Sequence, residues 1–159
     1  MSIAATDARS VTHSTFVIDR TYDAPPDRVW AAWSTEEGKS RWFGGDSAAW
    51  TSLERAMDFR VGGREKAIGK WRSGTVSAFD ALYWDIIPGE RIVYTYEMHI
   101  DDRKISVSLA TVEFRPAGAG TRLTVTEAGA FLDGYDDAGS REHGTRSLFD
   151  QLARFLEMQ

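Results

Sequence analysis

The sequence predicts an α+β domain, one antiparallel sheet entered through a short helical segment and covered by an amphipathic helix at its C-terminal end. Three observations predict it. Residues 15–22 alternate along the chain and stop at Pro25-Pro26. Strand-like runs then fill most of the stretch from Trp50 to Gly129, parted only by short Gly- or Asp-bearing turns. Finally, Leu148, Leu152, Phe155 and Leu156 recur at helical spacing near the end. Strands that follow one another so closely favour an antiparallel meander over βαβ units. A lone sheet closed at each end by helices is an architecture that encloses a small molecule.

In the first strand Phe16, Ile18, Arg20 and Tyr22 share one face, and Val17, Asp19 and Thr21 the other. Neither proline can donate to a ladder, so the strand ends there. Proline suits a first helical turn, and a helix begins near Pro26 with Val29, Trp30 and Trp33 as its apolar stripe. Ser34-Thr-Glu-Glu37 matches a capping box, with Ser34 as N-cap of a second short helix over about 35–42, closed by Gly44-Gly45. The strands that follow are expected at 51–60, 64–72, 74–86, 91–100, 104–115 and 121–128. Their turns are Gly62-Gly63, Ser73-Gly74, Pro88-Gly89, Asp101-Asp102 and Gly118-Ala-Gly120. Leu132 to Ser140 reads as a loop, with Ser140 capping the last helix.

Composition narrows the function classes. Of 159 residues, 42% are hydrophobic and 27% charged, as expected of an ordinary globular chain. A formal net charge of -5 with no basic run argues against nucleic acid or an anionic membrane as partner. The absence of cysteine excludes thiol catalysis, disulfides and thiolate metal sites, and is compatible with a reducing cytoplasm. Residues 1–13 carry no apolar run of a signal peptide and read as a disordered tail, leaving 14–159 as one domain. No run of about 20 apolar residues predicts a membrane span.

Several short pieces, in order, carry a resemblance. Arg20-Thr-Tyr-Asp-Ala-Pro-Pro-Asp-Arg-Val-Trp30, Arg41-Trp-Phe43, Asp58-Phe-Arg-Val-Gly-Gly63, Asp85-Ile-Ile-Pro-Gly-Glu-Arg-Ile-Val93, Gly120-Thr-Arg-Leu-Thr-Val125 and Gly144 together resemble the START-like (Bet v 1-like, SRPBCC) superfamily. Within it the chain looks most like the family named for the C-terminal domain of the activator of Hsp90 ATPase. The resemblance implies a helix-grip fold: a curved antiparallel sheet of six or seven strands wrapped around a long C-terminal helix, with two short helices after the first strand. It also implies a cavity between sheet and helix. Two departures stand out. Thr145 follows Gly144 where the family often has an aromatic residue, and the additional N-terminal domain of chaperone-activating members is not read in this chain.

The expected ligand-cavity residues are Arg20, Trp42, Phe43, Tyr83, Tyr94, Tyr96, Met98, Glu127, Gly144 and Leu148. Gly144 lies on the stripe of Leu148 and Leu152, where a missing side chain either opens room above the sheet or permits close packing. The tyrosines offer large apolar surface with a polar tip, suited to an aromatic ligand or to core packing. Arg20 and Glu127 are charges on otherwise apolar faces and must be paired, hydrated or near a rim. If both face inward from adjacent strands, they could pair across the cavity. Glu127 and His143 are the candidate acid or base groups.

His13, His99 and His143 have no metal-type spacing, and no metal or cofactor is expected. The stretch from Gly63 to Trp71 lacks P-loop spacing, Gly118-Ala-Gly120 opens a strand instead of a helix, and Asp133-Gly-Tyr-Asp-Asp137 lacks EF-hand spacing. The leading expectation is therefore a cytoplasmic protein that binds a small hydrophobic or aromatic molecule. The alternatives are a polyketide cyclase or dehydratase-like enzyme and a module that modulates a chaperone ATPase. A homodimer stays open.

Overall fold

The computed structural model describes residues 9–44 and 48–158. In chain order its elements are β1 (Val11–Tyr22), α1 (Pro26–Ser34), α2 (Glu36–Lys39), β2 (Trp50–Met57), β3 (Arg64–Trp71), β4 (Val76–Ile87), β5 (Arg91–Ile100), β6 (Arg103–Ala117), β7 (Gly120–Leu132) and α3 (Ala138–Glu157). The strands form a seven-stranded sheet in the order β1-β7-β6-β5-β4-β3-β2, and every pairing is antiparallel. This is the α+β arrangement that the strand and helix patterns predict, in the helix-grip form that the resemblance implies.

The topology explains the helices near the start. β1 and β2 are opposite edges of the sheet. With neighbouring strands about 4.8 Å apart, the chain has to travel roughly 29 Å across the sheet between them. The segment carrying α1 and α2 makes that crossing, and then β2 to β7 meander back to β1. Tight turns join the meander. Gly74 (φ 95°) and Gly89 (φ 77°) occupy the left-handed region, where a side chain is disfavoured.

Several element boundaries differ from the sequence expectation. Ser34 is the last residue of α1, and the cap of α2 is Thr35. The Thr35 hydroxyl donates to Ala31 O at 2.8 Å and accepts from Gly38 N at 3.0 Å, so one side chain serves the end of one helix and the start of the next. Likewise Asp137, not Ser140, caps α3, accepting from Ser140 N at 2.8 Å. β1 starts at Val11, inside the segment expected to be a tail, and β7 runs on to Leu132. The two extensions have one cause: Val11 pairs with Leu132, and Phe131 is held on its other side by Ser106. β2 ends at Met57, earlier than expected. Met1–Ala8 of the expected tail, Gly45 of the expected Gly44-Gly45 stop and Gln159 lie outside the described residues.

The core forms where α1 and α3 meet the concave face. Val29, Ala32 and Trp33 of α1 are buried, with Trp33 edge-on to Phe114 at 6.2 Å. On α3 the buried stripe is Phe149, Leu152 and Leu156, while Leu148 and Phe155 are half-buried. The close backbone approaches of α3 are to β1 and α1. Over β3, β4 and β5 the helix stands off the sheet. Among the described residues no helix is long and apolar enough to cross a membrane.

Candidate functional site

The gap between α3 and the middle strands is a cavity of about 490 Å³. Strand alternation supplies its floor. Tyr94, Tyr96 and Met98 of β5 and Phe79 of β4 point into it, beside the small Ala67 and Ser77. Gly144 and Leu148 of α3 form part of its roof, and a Cβ built on Gly144 meets no heavy atom within 4 Å. Gly144 therefore fronts open space and is not a close-packing contact. One wall is the Trp50 indole. It lies so close over Gly69 that a Cβ there would stand 1.8 Å from the ring, and its Nε1 donates to Ser77 Oγ at 3.3 Å.

One end of the cavity is polar. Glu127 of β7 is only 4% exposed, and its Oε1 accepts from the Tyr96 hydroxyl. The two residues are two strands apart, and they meet because β6 places only Ser106, Ser108 and Ala110 beneath them. Arg141 of α3 donates from Nη1 to the Tyr96 hydroxyl at 3.0 Å, and from Nη2 to Ser106 Oγ at 2.8 Å and Asp136 Oδ2 at 3.0 Å. An arginine can only donate, so the Tyr96 proton is turned toward Glu127. Glu127 Oε2 takes no hydrogen bond from the described residues, and Glu127 lines the cavity. Burial raises its carboxyl above the ordinary range, against the opposing hydrogen bond of Tyr96 and charge of Arg141.

A second buried carboxylate lies behind the wall. Glu65 of β3 is 1% exposed and accepts from Lys39 Nζ at 2.7 Å and from the Tyr83 hydroxyl, both at Oε1. Its Oε2 faces Arg55 Nη2 at 2.8 Å, an ion pair whose angle falls outside hydrogen-bond geometry. Lys39, at the end of α2, is buried as deeply. Its ammonium stands 4.5 Å from the centre of the Phe43 ring, 5.3 Å from Trp33, 5.4 Å from Tyr94 and 5.8 Å from Phe79. Burial alone would raise the Glu65 carboxyl. The charges of Lys39 and Arg55, with the hydrogen bonds from Lys39 and Tyr83, outweigh it and hold the group low. Burial lowers the Lys39 ammonium against the opposing pull of Glu65. The pair thus favours the ionised form of Glu65.

Of the residues expected at the cavity, Phe43, Tyr94, Tyr96, Met98, Glu127, Gly144 and Leu148 line it. Arg20 does not. It sits opposite Leu123 in β7, whereas Glu127 sits opposite Phe16. That offset is four residues, or roughly 13 Å along a strand, so the two cannot pair. Arg20 binds Asp150 Oδ1 at 2.8 Å instead. Tyr83 is committed to Glu65. Trp42 is in the core, donating from Nε1 to Ala32 O at 2.9 Å and packed on Trp33 at 4.8 Å. His143 is exposed and does not line the cavity.

Sequence reasoning missed Lys39, Arg55, Glu65 and Arg141. A signal existed for Glu65, a charge on the same strand face as Ala67 and Gly69, two residues small enough to point inward. None existed for Lys39, because a lysine in the last helical turn is ordinary on a solvated surface.

A meandering sheet gripping a C-terminal helix, with a lined cavity between them, defines a START-like domain. Residues 23–157 match the family model described as Activator of Hsp90 ATPase homolog 1-like protein, and the chain belongs to that family. Among solved structures it is similar to a putative uncharacterized protein from Rhizobium leguminosarum, with 43% identity, TM-score 0.91, and 96% of this chain and 99% of that one covered. A protein from Rhizobium loti is 47% identical with TM-score 0.83, covering 92% and 99%. One from Chromobacterium violaceum is 28% identical with TM-score 0.75, covering 90% and 96%. No curated protein matches. Family membership carries the fold; activity has to be argued from the site.

Proposed function

We propose that this protein binds a small hydrophobic or aromatic molecule in the cavity between the sheet and α3. The cavity carries this reading. Its volume of about 490 Å³ falls in the usual range of small-molecule sites. Aromatic rings (Phe43, Trp50, Phe79, Tyr94, Tyr96) supply much of its wall, and Glu127, Asp136 and Arg141 give it a charged end. Affinity would come chiefly from apolar burial, about 25 cal/mol per Å² before the cost of ordering the ligand. A chain without cysteine suits a reducing cytoplasm, the compartment proposed for it. Native mass spectrometry of protein purified from its own host is the test. A bound small molecule is expected, and a protein that neither carries nor takes up any apolar compound would refute the reading.

One observation favours a second reading, acid/base catalysis on the bound molecule. Glu127 is buried, lines the cavity, and has its carboxyl raised above the ordinary carboxylate range by burial. Glu127→Gln separates the two. A binder keeps its affinity for apolar compounds, whereas an acid/base enzyme loses turnover and keeps binding.

A further inference from the structure

The two buried carboxylates of this fold share one design, and one of them is incomplete. Glu65 accepts from a tyrosine hydroxyl, Tyr83, and from an ammonium, Lys39. That ammonium sits among the rings of Phe43, Trp33, Tyr94 and Phe79. Glu127 also accepts from a tyrosine hydroxyl, Tyr96, but no cation among the described residues hydrogen-bonds it; the Arg141 guanidinium lies over the Tyr96 and Phe131 rings, 5.7 and 5.3 Å from their centres. Arg141 reaches it only through that hydroxyl, and is itself paired with Asp136 at 3.0 Å. Arg141, Asp136 and an ionised Glu127 sum to one uncompensated negative charge at this end of the cavity. The place where a cation would complete the set is the cavity, bounded by the Tyr96 and Phe79 rings, 4.9 Å apart.

We infer that the cavity takes an organic cation, a protonated amine carried on an aromatic or apolar body, whose N–H donates to Glu127 Oε2 as Lys39 does to Glu65. This deepens the ligand-binding reading and rests on it. Ring faces around an ammonium favour a cation and are indifferent to an anion. A ligand carboxylate would meet Glu127 head-on. The raised carboxyl of Glu127 fits a group whose counter-ion has yet to arrive. If Glu127 holds its proton before binding, a neutral amine takes that proton and the same ion pair results.

Three probes of matched shape test the assignment at pH 7 by isothermal titration calorimetry: 2-naphthylmethylamine, 2-methylnaphthalene and 2-naphthylacetate. The amine is expected to bind about tenfold tighter than the hydrocarbon, the scale of one charge-assisted hydrogen bond, and the acid weakest. In Glu127→Gln the advantage of the amine over the hydrocarbon should disappear. Should that variant not fold, the ranking by the wild-type protein decides alone. An acid that binds tighter than the amine overturns the inference, as does an amine advantage that survives Glu127→Gln; both leave the cavity reading intact. Binding of none of the three overturns both.

Discussion

Gly144→Leu separates an open cavity from a packed one. A packed helix–sheet contact would make the extra side chain cost roughly 1–3 kcal/mol. Here the Cβ at position 144 meets nothing within 4 Å and the position is exposed, so the new side chain does not start inside a packed contact. The helix itself gains, because glycine inside a helix is about 0.8–1 kcal/mol worse than alanine and leucine is close to alanine. The net expectation is stabilisation by about 0.5–1 kcal/mol. At about 2–4 °C per kcal/mol for a chain of this size, Tm should rise by about 1–4 °C. The leucine would occupy space now open at the roof of the cavity, so uptake of 2-methylnaphthalene should fall sharply in the same protein. Circular dichroism melts and calorimetric titration are the two readouts. A Tm that drops by several degrees, or an unchanged affinity, would show that the space above the sheet at position 144 is not the binding cavity.

Two further outcomes follow from the buried carboxylates. Lys39→Met leaves Glu65 with Arg55 as its sole cation and should cost about 3 kcal/mol, the low end for breaking a buried pair, lowering Tm by about 6–12 °C. Glu65 has a depressed carboxyl, so its stabilising share is present above the unfolded pKa and is lost as pH falls through the folded one. The penalty of Lys39→Met should therefore shrink in acid, and melts at several pH values that show a constant penalty would contradict this. Glu127 behaves oppositely. Its carboxyl is raised by burial above the ordinary carboxylate value, so its contribution is complete below that value and is lost as pH rises through the folded pKa. The Tm of Glu127→Gln relative to the wild-type protein should consequently climb as pH rises above the ordinary carboxylate range; a flat difference would mean Glu127 carries no burial penalty.

The strands and turns were legible because their signals are local. Alternation within β4, β5 and β6 and glycines at positive φ fix where the chain runs straight and where it reverses, so the expected strands match the observed ones to within a few residues. The errors lie at caps and ends. Ser34 and Thr35 offer the same hydroxyl, and the choice fell to the one whose extended backbone (φ -117°, ψ 143°) lets it serve two helices. The aromatic floor was legible for the same reason as β5: Tyr94, Tyr96 and Met98 share one parity.

By itself, then, the sequence determined the order of strands and helices along the chain and the shared face of Tyr94, Tyr96 and Met98; that Gly144 fronts open space was decided by the structure. Only the tertiary structure decided which charges meet. Arg20 and Glu127 lie on neighbouring strands yet four positions out of step, while Tyr96 and Glu127 join across a strand of small residues. The reason is that period and turn chemistry act over a few residues, whereas register and the stand-off of α3 are set by the packing of distant segments. That packing brings Lys39 to Glu65, across 26 positions of sequence, and leaves Glu127 with no cation hydrogen-bonded to it among the described residues.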